Sequence, residues 1–103
     1  MLMSHSLETA AVKLFGDPLR AHIVRLLATE QMCTCHLIEE TGARQPTISH
    51  HLRVLRETGF VAAESHGRFT YYRLSPEALR AYADGFAELA SDAERAQEQR
   101  RPC

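Results

Sequence analysis

Two glycines, Gly42 and Gly59, frame the most restrictive stretch of this 103-residue chain. Between them lies Gln45-Pro46-Thr47-Ile48-Ser49-His50-His51-Leu52-Arg53-Val54-Leu55. At 100° per residue, Ile48, Leu52 and Leu55 fall within about 60° of arc. That predicts an amphipathic helix with Pro46 in its first turn and Gly59 in the left-handed position past its end. A shorter helical pattern precedes it, starting between Cys33 and Cys35 and turning Leu37 and Ile38 inward. Gly42 stops that pattern and opens a turn of three or four residues. A short helix, a glycine turn and a second helix form a helix-turn-helix.

The flanking segments extend the motif. After Gly59, Phe60-Val61-Ala62-Ala63 and Phe69-Thr70-Tyr71-Tyr72-Arg73-Leu74 read as two strands, with Ser65-His66-Gly67-Arg68 as the polar turn between them. Upstream, residues 6–15 predict a helix with Ser6 as its cap and Leu7, Ala11 and Leu14 on one face. Gly16-Asp17-Pro18 breaks that helix and starts another, whose stripe is Leu19, Ile23, Leu26 and Leu27. Ser75-Pro76-Glu77 starts a last helix over 76–95, and 96–103 is expected to be a flexible tail. The order α-α-α-α-β-β-α is mainly helical with a β-hairpin wing. It describes a winged helix-turn-helix, one domain over 1–103. The last helix carries Leu79, Tyr82, Ala83, Phe86, Leu89 and Ala90, a stripe too large for the wing to cover. Leu7, Leu14, Leu79, Tyr82, Phe86 and Leu89 are therefore expected to pack across the two-fold axis of a homodimer.

Charge narrows the function. The net charge is −1, which alone argues against a nucleic-acid partner. Its distribution argues the reverse: residues 42–75 hold five arginines against Glu57 and Glu64, a net +3 between acidic ends. A local basic face is what a phosphate backbone requires. On the predicted second helix Gln45 is placed to read an adenine edge, and Thr47, Ser49 and His50 share the polar side. Arg44, Arg53 and Arg56 are placed for phosphates, and Arg68 for a phosphate or the minor groove from the wing tip. The expected partner is double-stranded operator DNA, an imperfect palindrome with half-sites about one turn apart. No apolar run approaches the length of a membrane span, and Met1-Leu2-Met3-Ser4-His5 lacks the pattern of a secretory signal, so a cytoplasmic location is expected.

Three cysteines remain. Cys33 and Cys35 are two apart, too close for a relaxed disulfide, and thiols held for a metal or for reactivity fit the pattern better. In a regular helix such residues point about 200° apart. They share an ion only in a loose first turn, or when binding distorts the helix. Cys103, at the end of the tail, is the candidate third ligand or an incidental terminal thiol. His36 reads as solvent-facing. His50 and His51 point about 100° apart and are not expected to share an ion. No acid–base constellation or phosphate-cradling loop accompanies the thiols, so the chain is read as not an enzyme.

At this point the chain resembles the ArsR/SmtB family of metal- and metalloid-responsive repressors. The resemblance rests on Gly16-Asp17-Pro18-Leu19-Arg20, Cys33-Thr34-Cys35-His36-Leu37, Gln45 through Leu52, Leu55, Gly59-Phe60-Val61, Gly67-Arg68 and Tyr71-Tyr72. It implies a homodimeric winged-helix repressor that leaves its operator when an inducer binds. The Cys-x-Cys pair is similar to the family's arsenite/antimonite site and to its cadmium/lead site. Arg44 stands where the family commonly has a capping Ser or Thr. Ile38 stands where arsenite relatives carry a third Cys, and residues 1–32 hold no Cys, which disfavours cadmium and lead. Residues 76–95 hold no His, which argues against the family's zinc site on the last helix. The leading expectation is release by arsenite or antimonite at Cys33 and Cys35. Cadmium or lead at the same pair, or a redox switch joining one of these thiols to Cys103, is the alternative.

Overall fold

A computed structural model describes residues 13–103. Its elements are α1 (Pro18–Leu27), β1 (Met32–Cys33), α2 (Thr34–Thr41), α3 (Gln45–Glu57), β2 (Val61–His66), β3 (Phe69–Leu74) and α4 (Pro76–Ala96). Residues 13–15 are also helical. The rest of the helix expected over 6–15, Leu7 included, lies outside the described residues.

The breakers act where the sequence places them. The Asp17 carboxylate accepts the backbone N–H groups of Leu19 at 2.8 Å and Arg20 at 3.1 Å, and Pro18 follows as the first helical residue. Ser75 caps α4 in the same way through the N–H of Ala78. Gly42 ends α2 at φ 73°, a left-handed conformation that side chains resist, and its N–H closes on the Ile38 carbonyl at 2.8 Å.

The sheet departs from the expected hairpin. It has three strands in the order β1-β3-β2, all antiparallel. The added strand is only Met32–Cys33, paired as Met32 with Tyr72 and Cys33 with Tyr71. Two residues carry no periodicity, so nothing in the local pattern announces them. The wing is also longer than expected. β2 runs on to His66, and the turn shrinks to Gly67 and Arg68, with Gly67 at φ 63°.

The core is where the helical stripes meet. Ile23, Leu37, Ile48, Leu55 and Phe60 are all fully buried. Leu37 and Ile48 come from the two halves of the helix-turn-helix, so that motif is a packed unit. Residues 18–74 supply nearly all of this cluster, Leu14 being the exception. The 21-residue α4 contributes no buried residue. Leu79 and Tyr82 lie partly buried against the core, while Phe86 and Leu89 stay exposed. The molecule is drawn out to 60 × 24 × 22 Å. Among the described residues no helix is long and apolar enough to cross a membrane.

Candidate nucleic-acid interface and thiol site

α3 separates its two faces cleanly. Ile48, Leu52 and Leu55 are buried with His51. Gln45, Thr47, Ser49, His50, Arg53 and Arg56 are exposed, as is Arg44 at the helix entrance. Arg44 occupies the cap position with extended backbone, and its side chain makes no capping bond. The N-terminal N–H groups of α3 are therefore left without a side-chain acceptor. Arg53 lies one turn after His50, Nη2 to Nδ1 at 3.2 Å. Arg68 is exposed at the tip of the wing. Every residue expected to touch DNA is thus on the surface, carried by α3, its entrance or the wing turn.

His51 was not singled out for a role by sequence reading, and the structure gives it one. It is 5% exposed, on the inner side of α3. The Arg20 Nε–H donates to its Nδ1 at 3.1 Å. That bond puts the proton of the neutral ring on Nε2, which faces Asp17 Oδ1 at 3.7 Å. Burial holds His51 below the usual histidine range, against the pull of Asp17. The Arg20 backbone N–H holds the Asp17 carboxyl below its usual range, with the Leu19 N–H and the His51 charge adding to it and partial burial opposing. The signal for this was present. His51 follows Ile48 by three and precedes Leu55 by four, so helical spacing puts it on the apolar stripe.

Of the two arrangements open to the thiol pair, the structure has the one at a helix entrance. Cys33 is not inside a helix. It is the extended residue ahead of α2, at φ −86° and ψ 171°, and it is the last residue of β1. Cys35 lies in the first turn of α2. The sulfurs therefore do not face apart. They converge on one another, with the Cα atoms 5.5 Å apart. Cys103 is exposed and stands outside this pair. No distortion of α2 is needed to bring the pair together, because the chain enters the helix at that point.

His36 is exposed, as expected, and still joins the cluster. Its Nδ1 accepts the Cys33 backbone N–H at 3.2 Å and lies 3.2 Å from Cys33 Sγ. This is the return half of a capping box, with imidazole in place of the usual carboxylate. Ligand atoms of Cys33, Cys35 and His36 all lie within 4.8 Å of one another, and among the described residues they are the one such group of three. Cys33 is buried, whereas Cys35 and His36 are exposed. Beside them a shallow cleft is lined by Glu30, Met32, His36, Glu39 and Glu40.

The residues expected at a subunit interface divide. Leu14 is 3% exposed and belongs to the subunit's own core. Leu79 and Tyr82 are partly covered by that core. Phe86 is 47% exposed and Leu89 37%. They continue onto Phe15, 64% exposed, across an apolar groove floored by Phe60 and Tyr82.

Comparison with known proteins places this arrangement. The family model described as bacterial regulatory protein, arsR family, matches residues 17–63, from the Asp17 cap to the start of the wing. The arsenical resistance operon repressor of Staphylococcus xylosus is 34% identical over 75% of this chain and 74% of that protein. The HTH-type transcriptional repressor SmtB of Mycobacterium tuberculosis is 35% identical over 80% of this chain and 62% of that protein. Among solved structures, an ArsR-like transcriptional regulator from Rhodococcus sp. RHA1 has a TM-score of 0.81 over 88% of this chain and 85% of that one, at 22% identity. A homodimeric winged helix-turn-helix DNA-binding domain from Mycobacterium bovis has a TM-score of 0.65 over 98% and 87% of the two chains, also at 22% identity. With its exposed polar recognition face, its glycine-tipped wing and these relatives, the chain belongs to the arsR family of bacterial regulatory proteins, transcriptional repressors of the winged helix-turn-helix type.

Proposed function

We propose that this repressor binds a palindromic operator as a homodimer and is released when arsenite or antimonite engages Cys33 and Cys35. The supporting observation is the convergence of the two sulfurs at the entrance to α2, the first helix of the helix-turn-helix. In the reduced state these are two thiols at one point, and thiolates select soft or borderline acceptors. Arsenous acid condenses with two thiols, each sulfur replacing one hydroxyl and releasing one water. His36 lies within reach as a third donor, and it takes that place from Cys103 in this reading. Gln45, Thr47, Ser49 and His50 address base edges, and Arg44, Arg53 and Arg68 address phosphates.

Cadmium or lead at the same pair is favoured by a different observation. Glu30, Glu39 and Glu40 line the cleft next to His36. Their negative field attracts a divalent cation and does nothing for neutral arsenous acid.

One titration separates the readings. Operator duplexes recovered by selection from random sequence are bound to the reduced protein, and arsenite, antimonite, cadmium, lead and zinc are added in turn. Arsenite is expected to weaken binding by about 5- to 150-fold. Cys33→Ser and Cys35→Ser are expected to abolish that release, and Cys103→Ser to leave it intact. Release by cadmium or lead alone, weakened in Glu39→Gln/Glu40→Gln, would establish the second reading. Full arsenite release in both Cys33→Ser and Cys35→Ser would remove the site.

A further inference from the structure

The proposed inducer site sits at one end of a contact chain whose other end is the wing. Cys33 is paired with Tyr71 across β1 and β3. The Tyr71 ring also stands between two imidazoles. On one side is His36, centroids 5.9 Å apart and planes at 67°. On the other is His66, at 5.4 Å and 80°. Both are edge-to-face contacts, the arrangement aromatic pairs prefer. His66 is the last residue of β2, directly before the turn that carries Arg68, and its Nε2 lies 3.3 Å from Glu64 Oε2.

The alternative route to DNA, through α2 into α3, is poorly placed to carry a signal from this site. The inner side of α2 is Leu37, fully buried among core residues. Close-packed interiors do not deform continuously. Cys33 lies ahead of the helix, so its sulfur can move without α2 unwinding. The side chain that has to respond is His36, which rests on Cys33 Sγ at 3.2 Å. A guest between the sulfurs displaces that imidazole or captures it, and its neighbour across the sheet is Tyr71.

We propose that Tyr71 is the positioning residue that couples the thiol site to the wing: the His36–Tyr71–His66 stack transmits inducer binding to the segment bearing Arg68. This rests on the proposed inducer reading, and it makes the wing, more than α3, the part that loses its DNA fit. The coupling requires that the bound and free wing positions differ in free energy with the inducer present.

The test uses the reduced full-length protein, arsenite as the probe, and three variants: Tyr71→Leu, Tyr71→Phe and His66→Ala. Arsenite binding is followed by calorimetry and operator binding by fluorescence anisotropy. Tyr71→Leu and His66→Ala are expected to bind arsenite and operator within about 3-fold of the parent, but to reduce arsenite-driven release below about 3-fold, from the parent's 5- to 150-fold. Tyr71→Phe keeps both ring contacts and is expected to release normally. His66 is exposed, so its variant tests the stack even if Tyr71→Leu unfolds. Parental release in His66→Ala, or loss of release in Tyr71→Phe, would overturn the stack while leaving the inducer site standing. A parent protein that binds no arsenite would overturn the inducer reading and this coupling with it.

Discussion

At the scale of single residues, two positions hold opposing demands. His51 is buried neutral, so folding disfavours its protonation. Its folded pKa lies below the ordinary value of about 6.5, and the unfolded chain binds more protons between the two. The stability associated with neutral His51 is therefore complete above about pH 6.5 and declines as pH falls through that range. Asp17 adds a second loss only below its ordinary range of about 3.9. Thermal melts from pH 8 to pH 5 should show a falling midpoint in the parent and a flatter curve in His51→Gln. That variant should also be weaker at pH 8, by about 1–3 kcal/mol, because the glutamine amide does not put an acceptor where the ring Nδ1 meets the part-buried Arg20 Nε–H. Arg44 shows the complementary case. It leaves the start of α3 without a side-chain cap. Arg44→Ser should stabilise the fold by about 1 kcal/mol, a rise of about 4–8 °C in melting midpoint. It should also weaken operator binding and lower the slope of log affinity against log salt by about 1.

At the scale of elements, α3 makes the distinction between positioning and reading testable. Arg53→Ala should weaken binding to all duplexes alike and reduce the salt slope, whereas Gln45→Ala should relax preference at one base pair by about 1–3 kcal/mol. These helices were legible because their signals are local: Asp17-Pro18, Gly42, Pro46, Ser75-Pro76 and the stripes between them act within a few residues. The wing was legible from the β-rich run Phe69–Leu74, but its length was not, since Glu64, Ser65 and His66 are polar residues on a two-sided exposed strand. β1 was not legible at all, because Met32 and Cys33 become a strand only through Tyr71 and Tyr72, some 40 residues away. The same non-local pairing explains the site. Helical angles set Cys33 and Cys35 apart except in a loose first turn, and the extended backbone at Cys33 supplies that exception, bringing all three donors together while His36 stays exposed.

At the scale of the whole molecule, the described residues leave an apolar face uncovered. A compact chain of this length has a radius of gyration of about 13 Å; this one has 16.9 Å. Over the same molecule α4 has no buried residue, and its Phe86 and Leu89 have no cover among residues 13–75. Phe86→Asp should give monomers in sedimentation and lower operator affinity by more than about 100-fold, as the second half-site contact is lost. In the proposed dimer, pairing through α4 leaves the proposed inducer site untouched, since Cys33, Cys35 and His36 come from one chain. Each protomer then owns a self-sufficient receptor. Under that proposal, occupancy should follow a Hill coefficient of one with a stoichiometry of two per assembly, and a half-filled dimer, left on a single arm that binds more than about 100-fold more weakly, should already let go of DNA.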